Sequence, residues 1–172
     1  IRNKLNTEDR PVMVRIQVYI TNAYRAYKRA DHYRGKGVFV ALGGLHVTSL
    51  PEEAARHADV IFLGPSEESF PRFLKDFRNK RPEKIYRSLI RTLDNLPPVR
   101  RDLIKRNKYL VPNSLIVKRG CPHHCGLCYK DAIFGESKSI YTKMLDDALI
   151  DIERLPGRHL DFIDDHLVGS TR

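Results

Sequence analysis

Apolar and polar positions alternate along Met13-Val14-Arg15-Ile16-Gln17-Val18-Tyr19-Ile20, and the run is rich in β-branched residues, which predicts a strand. Thr21 or Asn22 can cap a following helix that runs from Ala23 to about Tyr33. Its face is marked by Ala23, Ala26, Tyr27 and Ala30 at helical spacing, and Gly35 or Gly37 stops it. Val38 to Leu42 is a short, wholly apolar run suited to a strand covered on both faces, and Gly43-Gly44 ends it. A second helix is expected from Pro51, where proline fits the first turn and Glu52 and Glu53 complement the helix dipole, and it closes before Asp59. Val60-Ile61-Phe62-Leu63-Gly64 reads as another buried strand, and a third helix is expected from about Ser69 to Phe77. Strands alternating with helices over such short connections predict a parallel sheet.

From residue 72 to 108 the pattern changes. The stretch holds 13 Lys/Arg against 4 Asp/Glu and carries the Pro97-Pro98 pair, so residues 81–113 read as a basic connector with little core of its own. Periodicity returns at Ser114-Leu115-Ile116-Val117, a strand. Met144, Leu145, Ala148, Leu149, Ile152 and Leu155 then mark one face of an amphipathic helix that Pro156-Gly157 ends. Leu160-Asp161-Phe162-Ile163 is a last strand that delivers Asp164, Asp165 and His166 at its carboxyl end. The fold class is α/β, with a Rossmann-like parallel sheet over 1–80, the connector over 81–113, and a β-α-β segment over 114–172.

Composition narrows the picture. The 172 residues are 41% hydrophobic, enough for a core, and 31 Lys+Arg against 21 Asp+Glu give a formal charge of +10, which brings anionic partners into consideration. The apolar runs fall far short of the roughly 20 residues that cross a bilayer, so no membrane partner is expected. The polar opening lacks the pattern of a secretory signal, and a cytoplasmic location is expected. Because the chain starts at Ile1 in mid-pattern, it reads as a piece of a longer protein.

All three cysteines fall within eight residues, as Cys121-x3-Cys125-x2-Cys128, directly after a predicted strand. An even number of dispersed cysteines would suggest a disulfide framework; three clustered thiols suggest a metal site. One loop can fold three thiolates around a [4Fe–4S] cube and leave its fourth iron open to another ligand. A structural zinc site of the Cys3His type, completed by His123 or His124, is the alternative. In that case the chain would be a zinc-stapled regulatory or nucleic-acid-binding domain.

This array, followed by an aromatic residue and placed after a first barrel strand, resembles the radical S-adenosylmethionine superfamily. The resemblance implies the start of a partial TIM barrel and a [4Fe–4S] cluster on Cys121, Cys125 and Cys128. It also implies S-adenosylmethionine on the open iron, with Tyr129 near the adenine. The family's second strand ends in a Gly-Gly-Glu-like segment that binds the methionyl amine; here Asp164-Asp165-His166 keeps a carboxylate without the glycines, so that role passes to Asp164 and Asp165. Upstream, Leu42-Gly43-Gly44-Leu45-His46 through Leu63-Gly64 is similar to the second half of the cobalamin-binding domain found before many such modules. That similarity implies cobalamin near Gly43, Gly44 and His46, at the carboxyl edge of the sheet where open α/β folds bind ligands.

The expected function is that of a cobalamin-dependent radical enzyme that methylates or rearranges a small-molecule substrate, reduced by a donor such as flavodoxin or ferredoxin. Some 60 residues cannot make a whole barrel, so the isolated chain is expected to be inactive and to leave apolar surface uncovered on its last helix and strand. Nucleic acid is not an expected partner, because the basic residues lie scattered among Pro, Leu and Asn with no RNA-binding signature.

Overall fold

A computed structural model describes residues 11–94, 96–123, 125–129 and 140–168. The chain divides into two compact units, Ile1–Ile90 and Arg91–Arg172.

In the first unit β1 (Met13–Gln17), β2 (Phe39–Gly43), β3 (Val60–Leu63) and β4 (Ile85–Arg87) form a four-stranded, all-parallel sheet in the order β1-β2-β3-β4. Helix α1 (Ala23–Arg34) connects β1 to β2, α2 (Leu45–Ser49) and α3 (Pro51–Ala55) connect β2 to β3, and α4 (Ser69–Arg78) connects β3 to β4. This is the Rossmann-like arrangement that the alternating pattern predicts. Side chains of successive strand residues point to opposite faces. Val40, Leu42, Ile61 and Leu63 therefore pack with Ala26, Tyr27 and Ala30 of α1, Val47 of α2 and Ala54 of α3. On the other face Ala41, Val60, Phe62 and Tyr86 pack with Phe73, Phe70 and Phe77 of α4. Two apolar layers explain why β2 and β3 are apolar throughout rather than alternating.

Three elements differ from the pattern's expectation. The first strand ends at Gln17, and Ile20–Asn22 makes a 3-10 turn in which the Tyr19 amide donates to Asn22 Oδ1 at 2.9 Å. One helix was expected after Gly43-Gly44, beginning at Pro51; two short ones form there, and five-residue helices carry too little periodicity to read in advance. The fourth strand, Ile85–Arg87, lies inside the basic stretch read as connector. Tyr86 anchors it: the ring is fully buried against Phe62 and Phe73, with centroids 5.6 and 5.4 Å away. The Tyr86 hydroxyl donates to Asp76 Oδ2 at 2.8 Å and accepts from the Glu83 amide at 3.0 Å, so its polar tip is satisfied.

In the second unit β5 (Ser114–Leu115) pairs in parallel with β8 (Asp161–Phe162), with helix α5 (Leu145–Glu153) between them in the chain. β6 (Lys118–Arg119) pairs antiparallel with β7 (Tyr141–Thr142). Asn113 ties this unit together. Its side-chain amide donates to the carbonyls of Pro156 at 2.7 Å and His159 at 2.9 Å and accepts from Arg106 at 2.8 Å, while its backbone carbonyl accepts from the Asp161 amide at 3.0 Å. The face of α5 and the β8 end leave Leu145, Leu149, Ile150 and Ile163 exposed, as expected for a β-α-β piece with an uncovered face.

Candidate functional site

The root of the cysteine loop is held by the two carboxylates at the end of β8. Asp164 Oδ1 accepts from the Val117 amide at 3.0 Å and from the Lys118 amide, and Asp165 Oδ2 accepts from the Gly120 amide at 3.0 Å. Parallel pairing of β5 with β8 brings these aspartates beside β6, more than forty residues away in the chain. The other Asp164 oxygen, Oδ2, is buried and has no hydrogen-bond partner among the described residues. A buried carboxylate oxygen left in that state costs on the order of 1–3 kcal/mol, so an incoming cationic donor would be favoured there.

None of the three cysteines is in a disulfide; Cys121 and Cys128 are half-buried and Cys125 is exposed. The Cys128 amide donates to the Cys125 carbonyl at 2.8 Å, which closes a turn over Gly126 and Leu127. Tyr129 is exposed. The ligand atoms of Cys121, His123 and His166 lie within 4.8 Å of one another, and the two imidazole rings stand edge-on with centroids 5.0 Å apart. Cys125 and Cys128 are outside that group. Thiolates on separate corners of an iron–sulfur cube stand farther apart than ligands that share one ion, so the donor set of Cys121, Cys125 and Cys128 still suits a cluster. His124, the other candidate zinc ligand, lies outside the described residues. Along the chain His166 is marked only by its place at a strand end beside Asp164 and Asp165.

At the carboxyl edge of the first sheet, Gly44 has φ +109°, and a Cβ there would meet the Val18 carbonyl oxygen at 2.8 Å. The glycine lets the chain's own β1 end approach: the Val18 amide donates to the Gly43 carbonyl at 2.8 Å, and the His46 amide to the Val18 carbonyl at 3.2 Å. A Cβ on Gly43 would press on the Phe62 side chain at 3.3 Å. His46 is buried, with Nε2 3.1 Å from Glu53 Oε1. These three residues were expected to face a ligand. In the structure Gly44 admits the Val18 backbone, Gly43 packs on Phe62 and His46 pairs with Glu53, so all three also serve the chain's own packing.

Around His46 lies a polar network that the sequence did not announce. Tyr27 stacks on His57 with centroids 4.4 Å apart, and His57 Nδ1 is 2.9 Å from Asp31. Burial first, then the Glu53 carboxylate, pushes the Tyr27 phenol up to about 12. Glu53 is held below the usual carboxylate range, chiefly by its hydrogen bond to His46 and then by the nearby Tyr27 hydroxyl, a buried atom with no hydrogen-bond partner in range among the described residues.

Similarity to known proteins bears on the whole of this arrangement. The chain is 36% identical over 155 residues to bacteriochlorophyllide d C-8(2)-methyltransferase of Chlorobaculum tepidum, a match that covers 83% of this chain and 33% of that protein. It is 25% identical over 157 residues to the C-12(1)-methyltransferase of the same organism, covering 85% of this chain and 34% of the relative. An uncharacterized methyltransferase of Pyrococcus horikoshii is 30% identical over 155 residues, covering 73% of this chain and 33% of the relative. The chain thus spans about a third of the length of the curated relatives it matches. No protein-family model matches it. The N-terminal domain of a hypothetical protein of Thermotoga maritima aligns at 25% identity over 44% of this chain and 61% of that one, with a TM-score of 0.40. The fold assignment rests on the strand pairing itself. What the chain resembles, by name, is methyltransferases. Among the described residues no helix is long and apolar enough to cross a membrane.

Proposed function

We propose that this chain is part of a radical S-adenosylmethionine methyltransferase whose initiating site is built on the second unit. The observation that carries the reading is the Cys121-x3-Cys125-x2-Cys128 loop rooted by Asp164 and Asp165 on a parallel strand pair, in a chain similar to three methyltransferases. Cys121, Cys125 and Cys128 would hold a [4Fe–4S] cluster. The chemistry that such a cluster supplies when bound is one-electron reduction of S-adenosylmethionine, which yields methionine and a 5'-deoxyadenosyl radical able to take hydrogen from a substrate carbon.

The chain's own residues bind and orient. Asp164 Oδ2, buried and without a partner among the described residues, is the acceptor for the methionyl ammonium. Asp164 Oδ1 and Asp165 fix the start of the loop by accepting from three of its backbone amides, those of Val117, Lys118 and Gly120. Tyr129, exposed at the far end of the loop, is offered to the adenine. Cobalamin at the carboxyl edge of the first sheet remains part of the proposal through the resemblance of that segment alone; no step is assigned to Gly43, Gly44 or His46, which are engaged within the chain. The names of the relatives favour methyl transfer over rearrangement, and two of them make a tetrapyrrole the first substrate class to assay. A flavodoxin- or ferredoxin-like donor is the proposed partner, in the cytoplasm.

The test is iron and sulfide content after anaerobic reconstitution, with electron paramagnetic resonance of the reduced sample in the presence and absence of S-adenosylmethionine. About four irons per chain, lost in Cys125→Ala, with a spectrum that S-adenosylmethionine perturbs, is the expected result. Absence of iron and sulfide in the reconstituted wild type would sink the proposal.

A further inference from the structure

We propose that Cys121, His123 and His166 form a site for a single divalent ion of the zinc class, distinct from the three-cysteine set and in competition with it for Cys121. Their three ligand atoms already lie within 4.8 Å of one another. Bonds of about 2.0–2.3 Å in a tetrahedral site put ligand atoms roughly 3.5 Å apart, so the ion closes the group with side-chain shifts of about 1 Å. The donor set of one thiolate and two imidazoles suits zinc, and three protein ligands leave a fourth position for water.

The backbone supports the two half-buried ligands from both sides. Gly120 and Asp165 immediately precede Cys121 and His166, and the Gly120 amide donates to Asp165 Oδ2 at 3.0 Å, so the two ligand-bearing segments are joined one residue upstream of the ligands. Asp164, one residue further back, clamps the Val117 and Lys118 amides. His123 sits two positions before the turn closed by Cys125 and Cys128, and its ring packs edge-on against that of His166 at 5.0 Å. Cys121 and His166, half-buried and joined one residue upstream, lose little freedom when an ion arrives, and the exposed His123 is brought to them by its ring contact with His166.

Because Cys121 belongs to both donor sets, an ion here and a three-thiolate cluster exclude each other. The inference does not rest on the cluster reading; it concerns what the same loop takes when no cluster is assembled.

The experiment uses the full chain, reduced and kept anaerobic, with Co2+ as the probe, because a cobalt thiolate gives a charge-transfer band and tetrahedral cobalt gives intense visible bands. One Co2+ is expected per chain, retained when Cys125→Ser and Cys128→Ser are combined, with the charge-transfer intensity of a single thiolate. His166→Ala and His123→Ala should each weaken binding at least roughly tenfold, the loss typical of disturbing a metal's surroundings. Band intensity that vanishes with Cys125→Ser and Cys128→Ser but survives both histidine variants would overturn the inference, as would failure of the wild type to bind Co2+. Iron and sulfide uptake is read separately. A chain that binds cobalt through these histidines yet assembles no cluster retains this inference and loses the proposed function; a chain that assembles a cluster but binds cobalt through all three cysteines does the reverse.

Discussion

Tyr27 carries a phenol that the fold keeps neutral, and its pKa is raised from about 10 in the unfolded chain to about 12. The native state therefore holds a proton that the unfolded state releases between those values. The stabilisation is fully present below pH 10 and is lost as pH rises through 12. Denaturation midpoints measured across that window should fall in the wild type and fall less steeply in Tyr27→Phe. A second residue-scale expectation concerns Gly64, which has φ +81° and leaves only 2.2 Å between a built Cβ and the Ser88 carbonyl oxygen. Gly64→Ala combines a left-handed conformation with a clash against backbone, and should cost at least about 2 kcal/mol, read as a lower urea midpoint at unchanged slope. Neither effect is visible in the sequence: glycine after an apolar run marks a strand end, but which carbonyl comes close to it depends on β3 lying beside β4.

Elements were legible where their pattern was long. Helix α1 buries Ala26, Tyr27 and Ala30, three of the positions its spacing marked, and β2 and β3 are buried as their apolar runs required. The short pieces were not legible. β4 is three residues in a basic stretch, and it forms because Tyr86 fills a ring-lined gap between Phe62 and Phe73, a tertiary reason that no local propensity expresses. In the second unit the strand expected over 114–117 ends at Leu115, and an unexpected β6 follows at Lys118, where the Val117 and Lys118 amides turn to the Asp164 carboxylate. Asn113 sets the register of that unit, so Asn113→Ala should destabilise it by about 3 kcal/mol through loss of several buried hydrogen bonds. Hydrogen exchange at the Asp161 and Ile163 amides, which bond to the Asn113 and Leu115 carbonyls, is the direct readout and should accelerate. Removing the carboxylate of Asp151, which pairs with the nearly buried Lys143 ammonium, leaves an uncompensated charge. Asp151→Ala should cost about 3–5 kcal/mol, and Lys143→Met in the same chain should recover much of it.

For the molecule as a whole, apolar exposure and charge set the behaviour in solution. Leu145, Leu149, Ile150, Phe162 and Ile163 of the second unit are all exposed by more than two-fifths, which concentrates apolar surface there in a chain of formal charge +10. An apolar fluorescent dye should bind the native chain, and Leu149→Lys with Ile163→Lys should reduce that binding without lowering the denaturation midpoint, since these side chains bury little to lose. Unchanged dye binding in the double variant would show that the dye binds elsewhere.

The sequence by itself determined the alternation of strands and helices, the buried faces of the longer elements and the thiolate-rich loop, because periodicity and ligand spacing are local quantities that neighbouring residues carry. Tertiary structure alone decided how distant groups were used. It set Asp164 and Asp165 on the backbone of the cysteine loop, turned the Gly44 opening toward Val18, enclosed His46 with Glu53, and drew His166 to Cys121 and His123. The His46–Glu53 pair joins the successive helices α2 and α3, seven residues apart, and the other pairings join segments that only strand pairing brings together. A carboxylate or imidazole takes whichever donor, acceptor or ion the fold sets within reach, and that choice has no signature along the chain.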